Sequence, residues 1–155
     1  MMADFYLDKK YAITKSNEKL FIDFGELAKE YLRGSLLLLN DLTLGNMISS
    51  SISFSCELFL KSLLLFYNTG FRDNTDGHNL EELYNLLPEE ICGLIKDRMT
   101  AYCPNDDFKL TLHEVGNTFM VSRYSCEQDE ICTNVEFLFN LAKALMTVFD
   151  ELREE

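Results

Sequence analysis

Residues 47–67 read MISSSISFSCELFLKSLLLFY, and this stretch decides the fold. Its second half, Leu58 to Tyr67, is apolar on nearly every side of a helix, and such a helix sits at the centre of its domain. Its first half is small and serine-rich, which lets a neighbouring helix approach closely. The pattern predicts a helix from Leu44 or Asn46 to Tyr67, stopped by Asn68-Thr69-Gly70. Glu57 and Lys61 break the apolar pattern. They stand at i,i+4 with the acid N-terminal, the favourable order for an ion pair. The run from Leu58 to Tyr67 contains Lys61 and is too short to span a bilayer, so no membrane role is expected.

Helical spacing continues on both sides. Upstream, Leu20, Phe21, Phe24, Leu27, Ala28, Tyr31, Leu32, Leu36, Leu38 and Leu39 predict a long helix, capped at Ser16 or Asn17 and ending near Asn40 or Asp41. Residues 1–16 are weakly patterned and read as an N-terminal arm, which leaves 17–155 as the domain. Downstream, a short helix runs from Leu80 to Leu87. The next opens at Pro88-Glu89-Glu90, with proline and acids in its first turn. Asn105-Asp106-Asp107 caps a helix from Phe108 whose stripe includes Leu110, Leu112, Val115, Phe119, Met120 and Tyr124. A last helix runs from about Ile131 to Leu152, with Val135, Leu138, Leu141, Leu145 and Phe149 in its apolar stripe. The fold class is all-α: a single up-and-down bundle of five to six helices.

Composition agrees. The 155 residues contain only two prolines and seven glycines, too little punctuation for many short strands. With 47% hydrophobic residues, a core forms without disulfide or metal staples. Cys56, Cys92, Cys103, Cys126 and Cys132 form no C-x-x-C pair, and the only histidines are His78 and His113. That is neither a structural zinc pattern nor a disulfide framework, so the cysteines read as reduced thiols, several of them small core residues. The start, MMADFYLDKK, lacks the apolar segment of a signal peptide, and cytoplasmic location follows as the default expectation.

The chain carries 26 acidic and 14 basic residues, a net charge of -12. This argues against a generic nucleic-acid coat and against attachment to an anionic membrane. The charge is uneven: residues 1–78 sum to -2 and residues 79–155 to -10. A short RNA end or a nucleotide therefore fits the first half, with Lys9, Lys10, Lys15, Lys19, Lys29 and Arg33, better than the second. No phosphate-cradling glycine loop, paired-histidine metal motif or nucleophile elbow is present, and no cofactor or metal is implied.

Three places hold informative polar residues: Glu57 with Lys61, His78 in GHNLEELYNLLP, and Arg123, Tyr124 and Glu127 in FMVSRYSCE. Glu57 and Lys61 form either an ion pair on an exposed helix edge or part of a buried network. A buried Glu57 needs a partner, and Arg123 is the expected one, with Tyr124 or Lys61 nearby. His78 either caps or braces the short helix or acts as a general acid or base. Tyr124 and Glu127, at i,i+3, share one helix face and either join the network or line a shallow nucleotide groove.

The strings SCELFLKSLLLFYNTG, GHNLEELYNLLP and FMVSRYSCE, in that order, resemble the HEPN superfamily, and more narrowly its small prokaryotic members. Those pair an E-L-x-L-K-type central helix with a G-H-x-L-x-x-L helix and a later R-Y-x-x-E. The resemblance covers about residues 44–128. It implies a HEPN-like helical bundle, a homodimer, and a role around RNA or nucleotides in prokaryotic defence or stress, alone or beside a partner protein such as a nucleotidyltransferase. Catalytic members cleave RNA without metal, through an arginine followed four to six residues later by a histidine. In that chemistry His moves protons at the ribose 2′-OH and Arg stabilises the phosphorane. Arg72 and His78 satisfy the spacing, but they span the loop after the central helix instead of opening a C-terminal helix. Arg123 has no histidine at that distance. The expectation is a non-catalytic HEPN-like module that dimerises, through the last helix, and binds a nucleotide, an RNA end or a partner protein. The alternatives are a metal-independent endoribonuclease using Arg72 and His78, and an acidic mimic of nucleic acid.

Overall fold

The computed structural model describes residues 17–67, 77–123 and 134–154. Among these residues the chain is all-α, with seven helices and one 3-10 turn. They are α1 (Asn17–Leu38), the 3-10 turn (Leu42–Leu44), α2 (Gly45–Phe66), α3 (Leu80–Asn85), α4 (Glu89–Tyr102), α5 (Phe108–Val115), α6 (Thr118–Arg123) and α7 (Val135–Arg153). The N-terminal arm expected at 1–16 lies outside the described residues.

The apolar α2 is the axis of the bundle, and every residue from Ile52 to Leu65 is buried. The span Leu42–Phe66 is long and apolar enough to cross a membrane, yet 89% of its most apolar window is buried inside the protein. Its apolarity serves the core. The serines explain how closely α1 packs. Ser55 donates its hydroxyl to the carbonyl of Ala28 at 2.7 Å, and Ser62 donates to that of Phe21 at 2.6 Å. Both hydroxyls are buried and satisfied, each contributing about 1 kcal/mol net. The two bonds advance in opposite directions along the helices, so α1 and α2 are antiparallel.

The last helix starts at Val135, where the Asn134 side chain accepts from the Phe137 amide at 2.9 Å. Of its expected stripe, Leu138, Leu141, Leu145 and Phe149 are buried and Val135 is half-buried, with Phe137, Ala142 and Val148 also in the core. The stripe lies inside the chain's own core, so it is not available as the dimer face expected of it. Cys56 donates its thiol to the Leu138 carbonyl at 3.3 Å, tying α2 to α7. Burial pushes the Cys56 thiol far up, which makes it an inert core residue. Cys92 and Cys103 are also free thiols, while Cys126 and Cys132 lie outside the described residues. Lys29 bonds Asp150 at 2.6 Å and Arg153 pairs with Glu26, joining α1 to α7. Arg98 meets Glu151 at 2.5 Å, and Lys143 lies 5.6 Å from the centre of the Tyr102 ring, setting α4 antiparallel to α7.

Two expectations of burial fail. Leu110, placed in an apolar stripe by its spacing, is 55% exposed, and Thr111 is buried instead. Tyr31, Leu36 and Leu39, towards and just past the end of α1, also stay at the surface.

The helix expected from Phe108 to Tyr124 is two helices, α5 and α6, separated at Gly116-Asn117. The carbonyl of Gly116 would bond an amide four residues on in a continuous helix. It accepts from the Leu80 amide instead, at 3.0 Å. The same junction positions the polar cluster described next.

Candidate functional site

Glu57 and Lys61 are both fully buried in the middle of α2, so the exposed-edge reading is wrong. The Lys61 ammonium donates to Glu57 Oε2 at 2.8 Å. His78 Nδ1 lies 3.2 Å from the other carboxylate oxygen, Oε1. A carboxylate only accepts, so the bond requires the proton on Nδ1. One buried carboxylate is thereby met from two sides, once by the next turn of its own helix and once by a residue distant in sequence. A buried charge is tolerated only with such partners.

The turn that delivers His78 is built for close approach. Gly77 has φ +83, a conformation that L side chains rarely adopt. A Cβ at Gly77 would sit 3.5 Å from Lys61 Nζ, so the turn's backbone passes directly over the ammonium. Asn79 then caps α3, its side-chain oxygen accepting from the Glu82 amide at 3.1 Å. Its amide nitrogen donates to Asn117 at 3.0 Å. Gly116 is glycine for a related reason, because a Cβ there would come within 3.0 Å of the Asn79 amide. Turn 77–80 is thus clamped on one side to α2 and on the other to the α5–α6 junction. The wall is aromatic: the Phe119 ring lies 6.4 Å from the His78 ring and stacks on Phe54 at 4.7 Å.

His78 therefore braces the turn through Glu57, and the cap is the neighbouring Asn79. The spacing Asn79-Leu80-Glu81-Glu82 carried the signal, since Asn followed three residues later by Glu marks a helix start. Among the described residues, Glu57 meets Lys61 and His78. The side chain of Arg123, the expected partner, lies outside the described residues, although α6 packs its backbone against α2. Arg72, Tyr124 and Glu127 also lie outside them.

Among the described residues no group of three or more His, Cys, Asp or Glu side chains could hold a metal ion. The second histidine, His113, is on the surface. A hydrogen bond donated to the Glu81 carboxylate at 2.9 Å holds it above the usual imidazole range. The chemical capacity of the site lies in His78, which is 20% exposed while Glu57 and Lys61 are sealed. Compared with known proteins, the chain matches no family model, no curated protein and no solved structure.

Proposed function

We propose that the chain is a HEPN-like helical module that works by binding rather than by catalysis. It acts as a homodimer in a prokaryotic defence or stress setting and engages a nucleotide, an RNA end or a partner protein. The observation that carries this reading is the burial of Glu57 and Lys61 beneath the turn that bears His78. Glu57 bonds both Lys61 and His78 and so fastens turn 77–80 to the central helix. Two of the three residues are sealed from any polymer substrate. The net charge of -12 supports the same reading, because an extended RNA track needs a basic groove.

The test is incubation of the full chain with single-stranded and hairpin RNA in the presence of EDTA. The expected result is intact RNA. Cleavage that is lost in Arg72→Ala and His78→Ala proteins, with their folding intact, would overturn the reading.

One observation favours the second reading, a metal-independent endoribonuclease using Arg72 and His78. His78 is the member of the cluster that reaches the surface, and a carboxylate fixes its ring nitrogen. A carboxylate in that position orients an imidazole and sets its tautomer for proton transfer. The same cleavage assay separates the two readings.

A further inference from the structure

Ser35, Ser49, Ser53, Ser55 and Ser62 are buried, and four of these hydroxyls are bonded inside the protein. Ser35 donates to the Tyr31 carbonyl at 2.7 Å, Ser53 donates to that of Ser50 at 3.1 Å, and Ser55 and Ser62 reach across to α1. Ser49 is the exception. It is 7% exposed, yet among the described residues its hydroxyl has no hydrogen-bond partner. Leaving a hydroxyl unbonded at such a position costs stability. Ser49 instead lines a groove of about 530 Å³. Thr43, Gly45 and Asn46 form the rest of its polar side, and Leu39, Leu42 and Val135 its apolar wall. The groove lies at the start of α2. Leu44, with ψ 32, is not helical, so α2 begins at Gly45, and Leu44 supplies no side-chain cap. The first amides of a helix have no partner within it and carry its positive end. Ser49 stands one turn after Gly45, and helical side chains lean towards the N-terminus, so its hydroxyl leans towards these amides.

We infer that the start of α2 binds a phosphate monoester of mononucleotide size. The phosphate lies on the Gly45–Met47 amides and the Ser49 hydroxyl, and the remainder lies against Leu39, Leu42 and Val135. The inference rests on the nucleotide-binding part of the proposed function and names its site. Three observations select this ligand. First, amides and a hydroxyl with nothing to donate to match a group whose oxygens accept, and a helix N-terminus favours negative charge. Second, Gly45 has ordinary helical angles, φ -51 and ψ -43, and a Cβ there would meet nothing within 4 Å. Neither strain nor packing calls for glycine, and its effect is to leave the amides bare to a close approach. Third, a groove of this volume falls in the range of small-molecule sites, roughly 300–1,000 Å³, with polar groups at one end of an apolar wall. Residues 42–56 carry no charge. The carboxylate beside them, Asp41, is exposed and accepts from the Thr43 amide at 3.0 Å and the Thr43 hydroxyl at 2.5 Å. Its charge is screened by solvent, so it lowers the affinity without closing the site.

The experiment is a titration of the ¹⁵N-labelled full chain, followed by amide chemical shifts, for wild type, Ser49→Ala and Gly45→Val. The probes are inorganic phosphate and adenosine 5′-monophosphate, at an ionic strength held constant with chloride. In wild type the Gly45, Asn46 and Met47 amides are expected to shift downfield and saturate. The dissociation constant for inorganic phosphate is expected on the order of 1 mM, since none of the lining residues is basic. Adenosine 5′-monophosphate is expected to bind about tenfold tighter, because its nucleoside covers the apolar wall. Ser49→Ala should weaken both probes roughly tenfold, and Gly45→Val should abolish both by covering the amides. Both variants are expected to fold, with melting temperatures at or above that of the wild type. Ser49 has no bond to lose, and Gly45 has open space around it.

Shifts that chloride alone reproduces, or that both substitutions leave unchanged, would overturn the site. Adenosine 5′-monophosphate that binds no tighter than inorganic phosphate would overturn the mononucleotide-sized occupant. Adenosine 5′-monophosphate that moves other amides and not these would overturn the site and leave the nucleotide reading standing. Probes that move no amide at all would overturn the site and the nucleotide reading together. None of these outcomes bears on the cleavage assay, so failure of the site and failure of the non-catalytic reading are distinguishable.

Discussion

Glu57→Ala is expected to lower the unfolding free energy by about 3–5 kcal/mol, the range for removing one partner of a buried ion pair. In a chain of this size that corresponds to roughly 10 °C in Tm. Both Glu57 and Lys61 are fully buried, so the substitution removes the carboxylate that the Lys61 ammonium bonds at 2.8 Å inside the core. The cost arises from keeping that ammonium buried with one counter-charge fewer, more than from the lost attraction. A second measurement follows from that distinction. Replacing both residues, as Glu57→Leu with Lys61→Met, removes the charges together and should recover most of the loss. Urea unfolding of the single and double variants reads both effects. A double variant as unstable as Glu57→Ala would contradict this account.

The second large effect is expected at Gly25 in α1. A Cβ at Gly25 would overlap the ring of Phe149, so α1 and α7 touch there with no space for a methyl group. Phe149 cannot simply swing aside. It is fully buried, with its ring centre 4.9 Å from that of Phe21 and 6.2 Å from that of Phe59. Gly25→Ala is therefore expected to destabilise the fold by about 2 kcal/mol despite alanine's higher helix propensity, since overpacking costs about 1–3 kcal/mol. Gly25→Leu should not fold. Adding Phe149→Leu should restore part of the stability of Gly25→Ala, because the smaller side chain frees the volume the methyl group needs. Gly34→Ala is the internal control. It lies in the same helix with open space around it, and it should stabilise the helix by up to about 1 kcal/mol. Thermal melts that gave both alanine variants the same sign would refute the packing argument.

The helices were legible because long apolar stripes at helical spacing have few other solutions. The stripe of α7 and the apolar centre of α2 lie where the spacing places them. Glu57 and Lys61 stood out for a related reason, as charges interrupting the most apolar helix. Other features depended on partners that no local pattern encodes. Gly116 falls inside one continuous apolar stripe, and it is a break because its carbonyl takes the amide of Leu80, far away in sequence. Leu36, Leu39 and Leu110 have core spacing but no element packs over them, since periodicity identifies a helix face without saying what covers it. Asn79 carried a readable capping signal that was eclipsed by its neighbour His78. The link from His78 to Glu57 crosses 21 positions and follows from the folded turn alone.

That link is best measured by a double-mutant cycle on unfolding free energy, with Glu57→Gln, His78→Ala and the two combined. If His78 fastens turn 77–80 to the central helix through Glu57, the coupling should be about 1–3 kcal/mol, and His78→Ala alone should destabilise. A coupling near zero, with His78→Ala as stable as the wild type, would contradict it and leave His78 free for another role.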